Sequence, residues 1–583
     1  MSIQKEFTDR ISSSIVRHNA DLPFKPTLHA YQTWEAELPL LNIQLSFNLF
    51  KQAIQGILSS AIPASDKLDL AEAAIPCLNK LLTAAKNHIQ DAKLPLSTRQ
   101  ADVFSLLLAT LTSFSHLYLD IICKDNVTTP QTGATVLKKD NRDNSLIIFR
   151  ALELYNARQL LMSFAYLTPS PLFWGTVNAL FALTEQLGVS EVNHPTFNEK
   201  GTSSPSREFK KIHFLNLAQP NRFNQRDLES IESILAAQSD HISLSKTNSN
   251  VFPLVVNIGS NTPLSFSSDK AADINTNCRY LANETLIEFL LSGGATAPEK
   301  ANTFLRPSNN PLLSQRSLEQ LLLSWKAPQH RQSARHPQND EIFVHPGFDS
   351  VIRALVLRLD PTSYGKKPAK PGSPAVFNIP DLHLVPIDQN SHYQHATHND
   401  NVINSLLKET ANNDPKARNI WQKKSTDIPG EKGKRMAAQK EDSSLHGLLF
   451  KVTRQQQSLL KVKDIIGIEE KSEKIQLAII RRLNTHIDGT ISTGVEMISP
   501  NVKLASIKYH DKETSPTPAI FLQGIPAIKQ ADAIISQLQV KEALVDISLK
   551  AKDGEDILFS IDETLESNPI FNHYSLTKKP SLI

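Results

Sequence analysis

The sequence predicts an α+β multidomain protein in which a helical amino-terminal bundle precedes an antiparallel β-barrel with extra carboxy-terminal strands. Over residues 41–188 apolar side chains recur at helical spacing, whereas from Glu341 onward short β-prone segments alternate with turns. The length adds a third observation, since 583 residues exceed what one core holds and allow three or four units of about 100–200 residues each.

The first half is read from its apolar rows. Ile43, Phe47, Phe50, Ile54 and Ile57 fall on one helical face, and Leu78, Leu81, Leu82 and Ile89 on another. A further helix runs through Ile147, Ala151, Leu154, Arg158, Leu161 and Ala165. The next spans 173–187, started after Pro169-Ser170-Pro171 and closed by Gly188. Residues 103–123 approach bilayer length but carry Ser105, Thr110, Thr112, Ser113, Ser115, His116 and Asp120, which are costly in lipid. A buried helix is expected there, and no transmembrane segment. These elements form an expected domain at 1–190.

After a polar loop at 203–206 a second, mainly helical segment is expected at 207–320, with helices at 207–217, 227–237 and 281–290. The run Val-Phe-Pro-Leu-Val-Val-Asn-Ile at 251–258 reads as a strand between them. A helix at 312–325 stops before Pro328. The barrel is placed at 322–509, from strands at 342–344, 448–452, 464–469, 474–483, 494–498 and 502–509. Within it, residues 361–440 are rich in Pro, Asn, His and Lys, with 12 Lys/Arg against 7 Asp/Glu, a composition that predicts a disordered insertion. Strands at 519–522, 533–535, 543–549 and 556–561 make a β-rich extension at 510–583.

Composition narrows the function. With 62 Lys+Arg against 59 Asp+Glu the net charge is +3, which argues against a DNA partner or a polybasic anchor. Cys77, Cys123 and Cys278 are odd in number and far apart, which excludes a disulfide framework and fits a reducing cytoplasm. The opening MSIQKEFTDR lacks the apolar stretch of a secretory signal. GxSxG, GxxxxGK[ST], HExxH and GxGxxG are missing, so no enzyme and no catalytic residues are expected. A hydrolase built around His88, His116 and Glu153 is the weaker alternative. His392, His395 and His398 have metal-ligand spacing, but their Asn- and Gln-rich surroundings favour a polar linker, so no metal is expected.

Two segments flank the insertion. In Trp325-Lys326-Ala327-Pro328-Gln329-His330-Arg331-Gln332-Ser333-Ala334-Arg335, two arginines stand four apart just before β structure. A guanidinium is planar, always charged and forked, so Arg331 and Arg335 suit phosphate oxygens or a purine face. In Asp442-Ser443-Ser444-Leu445-His446-Gly447, Asp442 offers two acceptors, Ser444 a hydroxyl, and Gly447 permits close approach. Acceptors read guanine through its N1–H and N2–H2 donors. Alone, each segment is also what a basic loop or an ordinary turn contains.

Together they resemble the PilZ domain, the bacterial receptor for cyclic di-GMP, with its RxxxR before the barrel and [DN]xSxxG on an early strand. Lys474-Ile475-Gln476-Leu477-Ala478-Ile479-Ile480-Arg481-Arg482-Leu483, Thr493-Gly494-Val495-Glu496-Met497-Ile498 and Lys461-Val462-Lys463-Asp464-Ile465-Ile466-Gly467-Ile468 resemble later strands of that family. The resemblance covers 322–509. It implies a cytoplasmic bacterial signalling receptor without a cofactor, in which Arg331 and Arg335 hold phosphates and guanine faces. Asp442 and Ser444 would contact guanine edges, and Gly447 would let the strand pass close to the ligand. It further implies relay to a protein partner through the helical half; a ligand-free PilZ-like scaffold or adaptor is the alternative.

Two features depart from the family pattern. Arg331 and Asp442 lie 111 positions apart, a surplus that matches the insertion; loop closure costs only about 0.6 kcal/mol per doubling of length. Residues 349–355 look helical, which makes the first strand pair atypical. The helical half resembles the amino-terminal region of uncharacterised bacterial PilZ-like proteins, most clearly at 215–224. Arg222 there reads as a second anion site or as part of a helix-entry loop. Trp174, Tyr155, Phe164 and Tyr166 read as a partner groove or as core.

Overall fold

The apolar rows of the first half become packed helices at Leu28–Ala36, Ile43–Ser59, Ala64–Ile89, Thr98–Lys124, Leu137–Phe164 and Pro171–Leu187. Local chemistry sets their ends. Asn42 accepts from the Leu45 amide at 3.1 Å and Ser170 from the Phe173 amide at 3.3 Å, while Gly188 closes its helix at φ 68°. The computed structural model describes residues 9–17, 20–89, 91–124, 137–197, 201–248, 253–267, 276–294, 313–328, 334–359, 435–444, 447–453, 459–470, 474–486, 488–500, 502–509, 517–524, 531–537, 546–550, 556–567 and 570–578.

Thr98–Lys124 is long and apolar enough to cross a membrane, yet most of its apolar stretch is buried within the bundle. Phe114, Leu117, Leu119 and Ile121 are fully buried there. Asp120, on the same helix, accepts from Lys67 at 2.8 Å and from Arg17 at 2.6 Å. A buried carboxylate held by two cations is tolerable where an unpaired one would not be.

One hydrophobic cluster runs from Ile11 to Trp325. The expected units at 1–190 and 207–320 therefore share a core, because helix Pro205–Leu217 drives Phe209 against Phe181, ring on ring at 3.9 Å. Trp174, Tyr155, Phe164 and Tyr166 are all buried, which decides for core over groove. Two small sheets ride on this body. One pairs β1 (His194–Pro195) with β2 (Thr202–Ser203). The other has β3 (Ser243–Ser245), β4 (Leu254–Asn257), β5 (Ser265–Phe266) and β6 (Cys278–Ala282) in the order β3-β6-β4-β5. The helix expected at 281–290 begins only at Glu284, since Leu281 and Ala282 finish the buried strand β6. The helix Gln315–Lys326 crosses the expected boundary at 320 and buries Trp325 completely.

The next unit is built from β7 (His336–Pro337), β8 (Glu341–Pro346), β9 (Met436–Ser443), β10 (Gly447–Val452), β11 (Ile465–Glu469), β12 (Ile475–Thr485) and β13 (Ile491–Ser499). Six of them close a ring, β8-β9-β10-β13-β12-β11 and back to β8, every neighbour antiparallel. β7 pairs with β9 in addition. Val344, Phe450, Ile466, Ile468, Ala478 and Ile480 fill the interior. Residues 348–359 are helical, as expected, and this helix packs Phe348, Val351 and Ile352 with Ile465, Ile520, Leu522 and Phe571.

Two expectations change. Residues 436–440, expected to be disordered, begin β9, a strand that turns Met436, Ala438 and Lys440 inward; its polar residues conceal the alternation. The rest of the insertion up to 434 lies outside the described residues. The strand at 502–509 belongs to a second closed barrel rather than to the first. This barrel takes β14 (Val502–Tyr509), β15 (Thr517–Leu522), β16 (Asp532–Ser536), β17 (Asp546–Lys550), β18 (Asp556–Ser567) and β19 (Asn572–Lys578) in the order β14-β15-β16-β19-β18-β17. The extension is thus a six-stranded barrel beginning at 502 rather than 510, because the chain breaks at Pro500 before it re-enters a sheet.

Candidate functional site

β7 is only two residues long, and it places the arginine segment. His336 pairs with Ser443 and Pro337 with Asp442. The Gln338 amide donates to the Glu441 carbonyl at 2.9 Å, and Ser443 donates its hydroxyl to Gln338 Oε1 at 3.1 Å. This short zipper sets Arg335 beside Asp442, so that Arg335 Nη1 donates to Oδ1 at 2.8 Å and to Oδ2 at 2.6 Å. Both side chains keep partial contact with solvent, 30% for Arg335 and 20% for Asp442, so the pair is accessible to a ligand. Both contacts use one nitrogen; among the described residues, Nε and Nη2 of Arg335 take no partner.

A bulge aims the acid. Phe450 pairs with Lys440 and Leu449 with Asp442, which leaves Glu441 as the extra residue. Lys440 and Phe450 are buried, and Asp442 and Leu449 are half-exposed. Ser444 folds back toward Gly447, whose carbonyl accepts from the Ser444 amide at 2.8 Å and from its hydroxyl at 3.3 Å. A Cβ on Gly447 would stand 3.0 Å from the Val495 carbonyl oxygen. The need for glycine therefore has a cause within the barrel wall, where β10 runs against β13. Arg331 lies outside the described residues, as do His330, Leu445 and His446.

The arginine segment is anchored at its other end in the helical half. Trp325 donates its indole N–H to the Phe214 carbonyl at 3.2 Å, and its own carbonyl accepts from Asn283 at 3.1 Å. The span between Trp325 and β7 is consequently tethered to two different bodies. Those bodies also meet directly. Lys461 binds Asp91 at 3.0 Å, Lys463 binds Asp227 at 2.7 Å, and Asn221 donates to Asn484 at 2.8 Å. Thr485 donates its amide to the Tyr166 carbonyl at 3.0 Å. Asp91 is held below the usual carboxylate range, because its bonds with Arg226 and Lys461 outweigh its partial burial.

The remaining candidates that the structure describes have partners within the fold. Arg222 ends a short 3-10 turn whose carbonyl accepts from Gln320 at 3.2 Å, and burial works against its charge. That turn leads into the helix Gln225–Gln238. Glu153 accepts from the Phe197 amide at 2.7 Å and from Arg150 at 2.8 Å, and burial pushes its carboxyl up to about 7. His116 Nδ1 accepts from the Val16 amide at 3.3 Å. Each is therefore tied into its own packing. The side chain of His88 and the histidines at 392, 395 and 398 lie outside the described residues. Gln338 and Glu441, which position the pair, carried no signal in the sequence, since a two-residue strand has no periodicity.

A closed six-stranded barrel, entered through an arginine segment that docks on a DxSxxG strand, defines a PilZ-domain protein. Residues 29–249 match the N-terminal domain of the cyclic-di-GMP receptor FimW, and residues 253–503 match its middle PilZ domain. These are consecutive domains of one receptor and together span about four-fifths of the chain, which belongs to the FimW family of cyclic-di-GMP receptors. The helical half is thus a FimW domain in its own right, and not only a helical companion to the barrel. No curated protein and no solved structure matches the chain. The second match begins before β4, so it includes three of the four strands of the small sheet and the helix bearing Trp325, both of which pack on the helical core, while β3 falls in the first match.

Proposed function

We propose that this cyclic-di-GMP signalling receptor takes its ligand at Arg331, Arg335, Asp442, Ser444 and Gly447, acts in the cytoplasm without a cofactor, and relays binding to a protein partner through its helical half. The contact between Arg335 and Asp442 carries the site assignment. A phosphate can claim the guanidinium through a charge-assisted bond, and guanine N1–H and N2–H2 can replace the arginine on the Asp442 carboxylate. The nitrogens of Arg335 that take no partner among the described residues are available for this exchange.

The relay reading rests on the tether. A ligand that gathers the segment between Trp325 and β7 favours the arrangement of the two bodies that the gathered segment permits, and shifts the population toward it. The cytoplasmic reading is supported by the three free cysteines. An enzymatic role has no comparable support, since the matched domains are those of a receptor.

One observation favours the scaffold reading, namely that Asp442 is already satisfied by Arg335 without a ligand. Calorimetric titration of the intact chain with cyclic di-GMP separates the two. The receptor reading expects binding heat that disappears in the double variant Arg331→Ala, Arg335→Ala. Undiminished binding by that variant would move the site elsewhere, and silence from the unaltered chain at millimolar ligand would leave the scaffold.

A further inference from the structure

β12 carries two consecutive arginines, Arg481 and Arg482, where strict alternation would send one of them into the barrel. The register avoids this. Ile480 pairs with Val495 and Arg482 with Gly494, so Arg481 is an extra residue and neither arginine is core. Ile480 and Leu483, on either side, are fully buried. Arg481 turns to Glu496 at 2.6 Å and to Glu566 at 3.0 Å. Arg316 also binds both of those carboxylates.

Arg482 takes a different path. A Cβ built on Gly494 would stand 2.6 Å from both Cγ and Nε of Arg482, so the arginine stem lies across that glycine. β13 separates β12 from β10, so the stem through Nε lies over the strand between them. Gly494 pairs with Leu449, and Leu449 with Asp442. Arg482, Gly494, Leu449 and Asp442 therefore form one row around the outside of the barrel, three strand spacings or about 14 Å long. Glycine at 494 clears the row, and half-exposed Leu449 gives it an apolar floor.

We infer that Arg482 is a third arginine of the dinucleotide site, meeting a phosphate or guanine of the ligand at the end of the row opposite Arg335. The inference rests on the proposed site, which it extends across β10 and β13. A guanidinium is suited to both ligand parts, as a bidentate donor to phosphate and as a stacking plane for a purine.

The test is titration of the intact chain with cyclic di-GMP, using Arg482→Ala, Arg482→Lys, Gly494→Ala and, as reference, Arg335→Ala. Arg482→Ala should weaken binding roughly ten-fold or more, as expected for a lost hydrogen bond to a charged group. It should also flatten the salt dependence of affinity, a change that the loss of a merely structural contact would not produce. Arg482→Lys should recover part of the affinity. Gly494→Ala should weaken binding although every arginine is retained, because the new methyl displaces the Arg482 stem. Wild-type affinity in Arg482→Ala, with binding abolished in Arg335→Ala, would overturn the third arginine alone. Absence of binding by the unaltered chain would overturn the site and this extension together.

Discussion

Arg335 and Asp442 stand 107 positions apart in the chain and meet through a single nitrogen at 2.6 and 2.8 Å. What brings them together is not the pair itself but the backbone beside it, where Pro337 lies opposite Asp442 and Gln338 bonds to Glu441. The pair can therefore open without unzipping β7 from β9.

Removing either partner should separate stability from binding. A partly exposed ion pair contributes only about 0.5 kcal/mol, so Arg335→Ala and Asp442→Ala should shift the thermal midpoint of the unliganded chain by a few degrees at most. The same variants should lose cyclic di-GMP affinity by roughly ten-fold or more each. Thermal melts with and without ligand check both halves at once.

Gly447→Val should behave in the opposite way. Its added carbon would press on the Val495 carbonyl from 3.0 Å, so β10 must move away from β13. A loss of about 1–3 kcal/mol is expected from such overpacking, together with weaker binding as Ser444 shifts. Denaturant unfolding of the variant measures the loss.

Lys463→Met takes from the Asp227 carboxylate its ion-pair partner at 2.7 Å and leaves it the Ser317 hydroxyl at 3.3 Å, where both charged side chains are nearly enclosed, at 12% and 13% exposure. A cost of about 2–3 kcal/mol follows from leaving such a charge without its counter-ion. Because the pair joins barrel to bundle, calorimetric unfolding should also show the transition broadening or splitting as the two bodies uncouple.

Residues 360–434 should be removable. Arg358 and Arg435, which flank them, both reach Oε1 of Glu469, at 3.1 and 3.9 Å. Since the roots of the segment meet at one oxygen, a linker of about ten Gly/Ser residues can close the gap, with a loop-entropy gain of roughly 2 kcal/mol. The shortened chain should fold and bind cyclic di-GMP with unchanged affinity, as titration would show. Lost binding would assign the segment a part in the site.

His213 supplies a pH signature for the helical half. Its Nδ1 accepts from the Leu264 amide at 3.0 Å, so Nε2 carries the proton that it gives to Asn178 Oδ1 at 3.2 Å. Burial pushes the imidazole down to about 3. Between the unfolded value near 6.5 and that value, the unfolded chain binds a proton that the folded chain refuses. Stability contributed at this site is therefore complete above about pH 6.5 and falls as pH drops, by up to about 1.4 kcal/mol per unit. Melts of the unaltered chain and of His213→Gln across pH 4–7 should show a shallower slope in the variant.

Much of this architecture is legible in the residues. Ile43, Phe47, Phe50 and Ile54 mark a helix face because burial follows the 3.6 period, and the arginine and aspartate motifs find each other because their residue types are distinctive. What is not legible has physical reasons. β9 hides behind Gln439, Lys440 and Glu441, whose polarity masks an inward alternation of Met436 and Ala438. β14 reads as a strand, but nothing in its own residues says which barrel completes its hydrogen bonds. The shared core of residues 11–325 arises from contacts such as Phe181 with Phe209, and a loop between helices does not announce whether they pack together. The row through Gly494 depends on register, which a strand pattern alone leaves free.

The most direct measurement is a crystal structure of the intact chain grown with cyclic di-GMP. The account predicts ligand density over β9 and β10, with Arg335 turned from Asp442 onto the ligand and a guanine edge on the Asp442 carboxylate. Ligand bound elsewhere, with the contact between Arg335 and Asp442 undisturbed, would contradict it.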